Sequence, residues 1–354
     1  MNYKNFLSLF LLSANMLFPV EYLTGAYYKS WWWRNPLTIH YKTGIIDWRP
    51  NYPQREPAVG WFSDEQCIID SEIALAALGK LDFFTFDFYT SRSNQSPGAL
   101  ENNNNGLRFF ITSENKRLMN FTIAYMNHGV YPITTQEEWD SYIDLWITYF
   151  QDPQYLKING KPVFIIPWAL NFRQQWGGTA GAQQALLYFR QKVILAGFPD
   201  LLIGGGIPQP AAAVSNIGIV AAIGFNFLTA YNADYTSLAA GAHNYNVLLS
   251  LLPATWNLFK QYSPIPYAPI TVQGYDQRPS QVSSLPYLIN KTPELFAQQL
   301  QLAKDFLDQN PTMLIETKGM IMINAWNEIG LDGALTPTLA NGNSYLKQVK
   351  NVFG

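Results

Sequence analysis

Two carboxylates follow an apolar run near the end of the chain, and their spacing could support acid–base chemistry. Met320–Ala325 has the composition and length of a buried strand, and Trp326, Asn327 and Glu328 come directly after it. Asp332 follows within one turn of loop. In a parallel α/β barrel, the residues after a strand lie on the face where barrel enzymes carry out their chemistry. The sequence therefore predicts an active site centred on Glu328, with Asp332 as a tentative acid.

Polar and aromatic residues also follow most of the other predicted strands. Carboxylates, amides and indoles are the groups that glycosidases use, because an oxocarbenium-like transition state needs carboxylates and hydroxyl-binding partners. Two alternatives stay open: Glu328 could form a structural ion pair with Arg278, or Arg278 could position Asp276. His128 is more typical of a structural histidine than of a base. Besides Trp326 and Asn327, the candidate substrate-binding residues are Asp87, Tyr89, Asn127, Trp168, Tyr231, Asn232, Asp276 and Arg278.

These residues must be positioned by strands that alternate with helices. The alternation predicts a (β/α)₈ TIM barrel as a single domain over residues 21–354, with long βα loops. A doubly wound sheet is the rival fold, but no glycine-rich phosphate turn follows the first strand. The predicted strands are Glu21–Lys29, Leu81–Tyr89, Phe121–Met126, Val163–Pro167, Leu201–Ile203 with Gly204–Gly206 as its exit, Gly224–Ala230, Pro269–Val272 and Met320–Ala325. The predicted helices are Asp64–Leu78 with Asp64 as N-cap, Gln136–Phe150, Gly181–Ala196, Ser237–Phe259, Pro293–Leu307 and Ser344–Val349.

Composition excludes several functional classes. The chain has 354 residues, 48% of them apolar and only 14% charged, so it can bury a large core. A net charge of −2 without basic runs argues against a nucleic-acid partner. Its single cysteine cannot form an internal disulfide, and its three histidines have no zinc-binding spacing. We therefore expect no metal and no cofactor, whereas the 15% aromatic content suits a cleft that stacks on a carbohydrate substrate.

The N-terminus resembles a secretory signal peptide. Lys4 precedes the apolar stretch Phe6–Val20, which is too short for a stable membrane span. The stretch predicts a signal peptide over residues 1–20 and a secreted or periplasmic protein. The alternative is a buried first element of a cytoplasmic protein.

Several short motifs resemble the glycoside hydrolase family 99-like and WbsX-type proteins, which are often labelled glycosyltransferases or lipopolysaccharide-biosynthesis proteins. The motifs occur in order over nearly the whole chain beyond residue 20, and the ordered set is more specific than any single motif. They are R-E-P-A-V-G-W-F (Arg55–Phe62), L-D-F-F-T-F-D-F-Y (Leu81–Tyr89), Y-L-K-I-N-G-K-P-V (Tyr155–Val163), A-G-F-P (Ala196–Pro199), T-A-Y-N (Thr229–Asn232), G-Y-D-Q-R-P (Gly274–Pro279) and N-A-W-N-E-I-G (Asn324–Gly330).

The resemblance implies a barrel enzyme that cleaves α-mannosidic linkages inside a glycan with retention. One glutamate, which corresponds to Glu328, would deprotonate the sugar 2-hydroxyl in a substrate-assisted reaction, and a second would protonate the leaving group. The second glutamate belongs three residues later in W-N-E-x-x-E-G, but that position holds Leu331, and Asp332 follows it. A glycoside hydrolase is therefore the first hypothesis; a non-catalytic glycan-binding protein and a WbsX-type glycosyltransferase are the alternatives.

Overall fold

The computed structural model describes residues 20–35, 37–90, 102–129, 131–280 and 285–354. The expected signal peptide, residues 1–20, lies outside the described residues except for Val20. In the described ranges, no helix is both long enough and apolar enough to cross a membrane.

A parallel sheet of eight strands forms the centre of the described part of the chain. The strands are hydrogen-bonded in the order β7–β8–β1–β2–β3–β4–β5–β6. Leu228 in β6 pairs with Tyr267, just before β7, so the sheet is nearly closed. The predicted (β/α)₈ barrel is confirmed. The strands are β1 (Glu21–Tyr28), β2 (Phe83–Phe88), β3 (Asn120–Tyr125), β4 (Lys161–Ile166), β5 (Leu202–Gly206), β6 (Phe227–Thr229), β7 (Ile270–Val272) and β8 (Lys318–Asn324).

Helices connect these strands. The helix predicted over Gln136–Phe150 buries an aromatic face, with Trp139 and Trp146 at 0% exposure, and Thr135 and Glu138 form a capping box at its start. The helices of the described ranges include α1 (Gln66–Leu78), α2 (Asn105–Thr112), α3 (Gln136–Phe150), α4 (Ala169–Gln175), α5 (Thr179–Leu195), α6 (Ser215–Ala221), α7 (Leu248–Tyr262), α8 (Pro293–Gln309) and α9 (Ser344–Phe353).

The helix predicted over Ser237–Phe259 is wrong in its first half. Gly241–Asn244 is a strand that pairs in parallel with Pro286–Ile289, and α7 begins only at Leu248. Gly241 has a φ of +112°, which is incompatible with a helix. Helix α7 continues through Pro253.

The three glycines predicted as the exit of the fifth strand belong to β5 itself. An added Cβ would lie 2.5 Å from the Phe227 ring at Gly204 and 2.2 Å from the Pro167 carbonyl oxygen at Gly206. Both separations are shorter than any van der Waals contact, so only glycine fits. The glycines therefore allow β5 to pack tightly against its neighbours.

Side-chain alternation along β2 points its carboxylate into the barrel. Successive side chains of a strand point to opposite faces. Phe86 packs on Phe110 of α2, with ring centroids 5.4 Å apart, and Phe88 packs on Trp146 of α3 at 5.9 Å. Asp87, between them, therefore faces the barrel interior at its carboxyl end.

Candidate active site

Glu328 forms a buried ion pair with Lys29 where β8 and β1 end. The two strands are parallel neighbours in register, with Ala26 opposite Ile323, so their carboxyl ends lie side by side. Glu328 is 2% exposed and Lys29 is 7% exposed. Because both charges are largely removed from water, the loss of either partner would leave a costly unpaired charge.

The neighbouring Asn327 holds Lys29 in place. Its Oδ1 accepts a hydrogen bond from the Lys29 amide at 2.8 Å, and its Nδ2 donates to the Lys29 carbonyl at 3.0 Å. The ammonium group of Lys29 also lies 3.8 Å from the centroid of the Trp31 ring. The cation beside Glu328 is thus fixed by its backbone and by an aromatic face.

Tyr231, two residues after β6, connects Glu328 to a second carboxylate. Its hydroxyl lies 3.0 Å from Oδ2 of Asp87 and 3.2 Å from Oε2 of Glu328. Those two oxygens are therefore no more than the sum of the distances, 6.2 Å, apart. The Nδ2 of Asn324 donates to the Tyr231 carbonyl at 2.9 Å and fixes this loop to the end of β8.

The two carboxylates have different surroundings. Burial raises the pKa of Asp87 from 3.8 to about 8, with the Glu328 charge adding to the rise and Lys29 opposing it. Asp87 is therefore mostly protonated at neutral pH, whereas Glu328 is paired with a cation. Two neighbouring carboxyl groups whose surroundings favour different protonation states are typical of acid–base pairs in enzymes.

Aromatic rings surround the pair. Trp168 stacks on His128 with centroids 4.1 Å apart and on Tyr231 at 5.6 Å, and Trp31 stacks on His40 at 3.7 Å. Burial, with Lys29 contributing, lowers the pKa of His128 to about 4 and that of His40 to about 3. Both imidazoles are therefore neutral at pH 7 and act as flat, weakly polar surfaces.

Two cavities open beside the pair and share Leu331. A cavity of about 280 Å³ is lined by Glu328, Lys29 and Trp31 among others, and one of about 390 Å³ by Tyr231 and Trp168 among others. Leu331 borders both. Leu331, which stands where the W-N-E-x-x-E-G pattern has its second glutamate, is thus an apolar side chain bordering both cavities.

Asp332 lies in a different cavity from Glu328. Glu328 and Gly333 exchange two backbone hydrogen bonds of 3.1 Å, and the loop between them leaves Asp332 in the left-handed region with a φ of 59°. Its carboxylate lies 2.8 Å from Nζ of Lys291 and 3.8 Å from Nε of Arg55. The expected pairing of Asp332 with Glu328 is therefore corrected: the closed loop directs Asp332 to two cations instead.

Asp276 and Arg278 belong to the cavity of Asp332. Arg278 donates two side-chain hydrogen bonds of 2.9 Å to Asp276, and Arg55 forms an ion pair with the same carboxylate. Burial alone would raise the pKa of Asp276, but hydrogen bonds from Arg278 and the charge of Arg55 leave it lowered. The alternative in which Arg278 positions Asp276 is what the structure has, and the cation beside Glu328 is Lys29.

Sequence comparison identifies the family, since the family described as Glycosyltransferase WbsX matches residues 126–349. The chain belongs to this family. None of the curated proteins matches the sequence significantly.

Solved structures similar to this WbsX-family chain are glycoside hydrolases. A "glycoside hydrolase-like protein" has a TM-score of 0.64 at 15% identity, covering 95% of this chain and 96% of its own. The GH99 endo-α-mannosidase of Bacteroides thetaiotaomicron has a TM-score of 0.58 at 13% identity, with coverage of 94% and 96%. GH5_18 of Streptomyces cattleya has a TM-score of 0.52 at 11% identity, with coverage of 94% and 80%. At these identities the similarity establishes the TIM-barrel fold.

Three predicted substrate-binding residues have structural roles in this protein. Trp326 is 0% exposed and packs on Phe84 at 5.1 Å, so its ring cannot contact a sugar. Asn127 uses its amide on the backbone of Trp168, with hydrogen bonds of 2.9 and 3.3 Å, and Asn327 uses its amide on Lys29. Burial and these hydrogen bonds leave little of the three side chains available to a sugar, and their assignment to substrate binding stays a prediction.

The remaining candidates divide between the cleft and its surroundings. Trp168, Tyr231 and Asn232 line the larger cleft cavity. Tyr89 is fully buried and lines an apolar cavity with Phe88 on the helix side of β2. The cleft residues thus come mainly from the ends of β4 and β6.

Sequence reasoning missed the cations of both clusters. Lys29 was placed inside the first predicted strand, although it follows β1 and occupies the same level as the residues after β8. Arg55 opens the motif R-E-P-A-V-G-W-F and Lys291 follows the strand Pro286–Ile289, but neither follows a predicted strand. The strand-end criterion would have found Lys29 if the boundary had been drawn one residue earlier.

Proposed function

We propose that this WbsX-family protein is a glycoside hydrolase that cleaves a mannose-containing oligo- or polysaccharide, with Glu328 as the base. The observation that carries the proposal is the pair formed by Glu328 and Asp87 at the carboxyl end of the barrel. One member is paired with a cation and the other carries a proton at neutral pH. An oxocarbenium-like transition state requires a charged and a protonated carboxyl group near one glycosidic bond.

The separation of the carboxylates supports a reaction that retains the anomeric configuration. Their bridged oxygens are at most 6.2 Å apart, as the two distances to the Tyr231 hydroxyl require. Retaining enzymes have carboxylates about 5–5.5 Å apart, and inverting enzymes need about 6.5–9.5 Å to fit a water molecule. The limit on these two oxygens is compatible with retention.

In the proposed substrate-assisted route, Glu328 accepts the proton of the hydroxyl next to the anomeric carbon. The resulting alkoxide attacks the anomeric carbon, and the bond to the leaving group breaks. Lys29 compensates the negative charge of Glu328 before this transfer. The chemistry needs no organic cofactor, because it consists only of proton transfers and the displacement of a leaving group.

The preference for mannose rests on the similarity to the GH99 endo-α-mannosidase and on the flat surfaces of the cleft. Trp168 and Trp31 are half-buried and line the two cavities on either side of Leu331. His40 and Lys29 occupy the faces of the Trp31 ring, so the ring edges and the stacked imidazoles are the aromatic surfaces that remain for a sugar. Cavities on both sides of the pair fit a substrate that extends past the cleaved bond, as in cleavage inside a chain.

The test compares Glu328→Gln with the wild type on mannose-containing glycans, with product release followed by chromatography. We expect the wild type to cleave and Glu328→Gln to lose most of its rate, at least about a hundredfold, since acid–base help is worth about 10²–10⁴-fold. Glu72→Gln is the matched control, because Glu72 is equally buried but contacts Tyr28 outside the cleft. Equal rates for the wild type and Glu328→Gln would contradict the assignment.

One observation favours a non-catalytic glycan-binding protein as the second candidate. Leu331 occupies the position at which the resemblance implies an acid, and leucine cannot donate a proton. This candidate predicts that glycan binding, measured by calorimetry, survives Glu328→Gln while neither protein turns over. Adding sugar nucleotides as donors to the chromatographic assay would detect glycosyl transfer, the activity suggested by the family description.

A further inference from the structure

The hydroxyl of Tyr231 contacts two carboxylates but has only one hydrogen to donate. It lies 3.0 Å from Asp87 and 3.2 Å from Glu328. If both carboxylates were ionised, one of these contacts would join two oxygens without a hydrogen between them. One carboxyl group must therefore carry a proton and donate it to the Tyr231 oxygen, while Tyr231 donates to the other carboxylate.

The contacts of the two carboxylates identify which one is protonated. Glu328 has the ammonium group of Lys29 as a direct partner. Asp87 is 1% exposed, and its Oδ1 is buried without a hydrogen-bond partner among the described residues. A buried charged oxygen without a donor is strongly destabilising. The proton therefore belongs to Asp87, in agreement with the raised pKa of that residue.

We propose that Asp87 is the proton reserve of this site and that it delivers its proton to the leaving group through the hydroxyl of Tyr231. This inference rests on the proposed function and supplies the acid that the loop after β8 lacks. Leu331 cannot donate, and Asp332 is paired with Lys291 in another cavity. Tyr231 lines the cleft, and in this proposal its hydroxyl contacts the leaving oxygen whereas Asp87 acts through it.

The steps balance in protons and electron pairs. As the glycosidic C–O bond breaks, its electron pair stays on the leaving oxygen, which takes the hydrogen of the Tyr231 hydroxyl. Tyr231 takes the proton of Asp87, which becomes a carboxylate. In the second step, water attacks the anomeric carbon and gives a proton back through Tyr231 to Asp87. The bond from that carbon to the neighbouring sugar oxygen breaks, its electron pair stays on this oxygen, and Glu328 returns its proton there.

The charged and titratable groups that act on Asp87 come from several strands. Lys29 follows β1, Glu328 follows β8, and Tyr231 follows β6. The phenols of Tyr27 and Tyr89 are also close enough to interact with its charge, and burial raises the pKa of both, so both are neutral. The charges of Lys29 and Glu328 already cancel. The net charge of this cluster of side chains is therefore zero only when Asp87 is protonated.

The kinetic test uses leaving groups of different basicity. An alkoxide leaving group needs a proton as the bond breaks, whereas a nitrophenolate leaves without one. We expect Asp87→Asn and Tyr231→Phe to lower kcat/KM about 10²–10³-fold for a mannose-linked saccharide but less than about tenfold for a nitrophenyl mannoside. The alkaline decline of kcat/KM near pH 8 should disappear in Asp87→Asn.

Two further variants make this test decisive. Asp82→Asn is the matched control, because Asp82 lies just before β2 at the opposite end of the barrel and binds Thr24; it should change neither rate. Asp332→Asn tests the competing acid. A selective loss in Asp332→Asn instead of Asp87→Asn, or an equal loss on both substrates in Asp87→Asn, would overturn the proposal.

An infrared measurement locates the proton without turnover. The carbonyl stretch of a protonated carboxyl group should be present in the wild type at pH 7, absent in Asp87→Asn, and lost from the wild type above about pH 9. Glu72, whose pKa burial raises to about 7, contributes a similar band that Glu72→Gln identifies. No difference between the wild type and Asp87→Asn refutes the proton reserve. If the wild type shows the Asp87 carboxyl band but cleaves neither substrate, the proposed function is refuted and the protonation of Asp87 is not.

Discussion

Replacing Asp87 by Asn should change how the free energy of unfolding depends on pH. Asn has the same shape as a protonated Asp and cannot ionise. In the folded wild type, burial raises the pKa of Asp87 from 3.8 to about 8. Between these two values the folded protein holds a proton that the unfolded chain has lost, so wild-type stability falls as pH rises through this window.

The size of the effect follows from the shift. Each pH unit inside the window changes the free energy of unfolding by about 1.4 kcal/mol for one proton. From pH 5 to pH 7, the stability of the wild type relative to Asp87→Asn should therefore fall by about 3 kcal/mol. The variant should be close to the wild type in stability near pH 3.8, more stable by about 1–2 kcal/mol at pH 5 and more stable by about 4–5 kcal/mol at pH 7.

Other groups titrate in the same pH range. Their contributions to stability are the same in the wild type and in Asp87→Asn, so the difference between the two proteins removes them. Burial raises the pKa of Glu72 to about 7, which lowers stability as pH rises. Burial lowers the pKa of His40 to about 3 and of His128 to about 4, which raises stability up to about pH 6.5. Below about pH 6.5 the two histidines offset Glu72 and Asp87 together, so only the difference between the wild type and Asp87→Asn isolates Asp87.

Urea unfolding followed by the fluorescence of the 11 tryptophans measures this difference at each pH. Asp140→Asn is a suitable control, because a hydrogen bond from Lys192 lowers the pKa of Asp140, so this residue titrates below the window. The difference in the free energy of unfolding between Asp140→Asn and the wild type should stay constant from pH 5 to pH 7. A flat difference for Asp87→Asn as well would mean that Asp87 is charged in the folded protein and would refute the proton reserve.

Two further predictions concern the ion pair and the glycines of β5. Lys29→Met should lower the free energy of unfolding in urea by about 3–5 kcal/mol, because it leaves Glu328 charged and buried. Adding Glu328→Gln should recover most of this loss. If Lys29→Met alone were as stable as the double variant, the ion pair would be contradicted. Gly204→Ala should cost at least about 1–3 kcal/mol because the new Cβ meets the Phe227 ring, whereas Gly218→Ala in α6, with no atom within 4 Å, should gain about 0.5–1 kcal/mol. Equal stabilities of the two alanine variants would contradict the close packing of β5.

The barrel and the centre of its site could be predicted because both follow from local sequence. Apolar runs of strand length mark the strands, and parallel strands bring their carboxyl ends to one face. This criterion alone brought Glu328, Asp87 and Tyr231 into one list of strand-end residues. The structure joins these three through one hydroxyl.

What could not be predicted depends on backbone conformation and on contacts distant in sequence. Whether Asp332 faces Glu328 is decided by a loop that closes between Glu328 and Gly333 and leaves Asp332 at a positive φ. The strand Gly241–Asn244 was mistaken for helix because its partner, Pro286–Ile289, lies more than forty residues later. Neither feature leaves a periodic signal in the chain.

The protonation of Asp87 is a third property of this kind, and it changes the interpretation of the missing glutamate. An acid can come from a different strand without changing the chemistry, provided that its proton reaches the same oxygen. β2 and β8 lie on either side of β1, so Asp87 and Glu328 converge on the ion pair of Lys29 from opposite sides. Because Tyr231 bridges them, Leu331 in the loop after β8 is compatible with hydrolysis. The acid of this WbsX-family protein should therefore be sought at the end of β2.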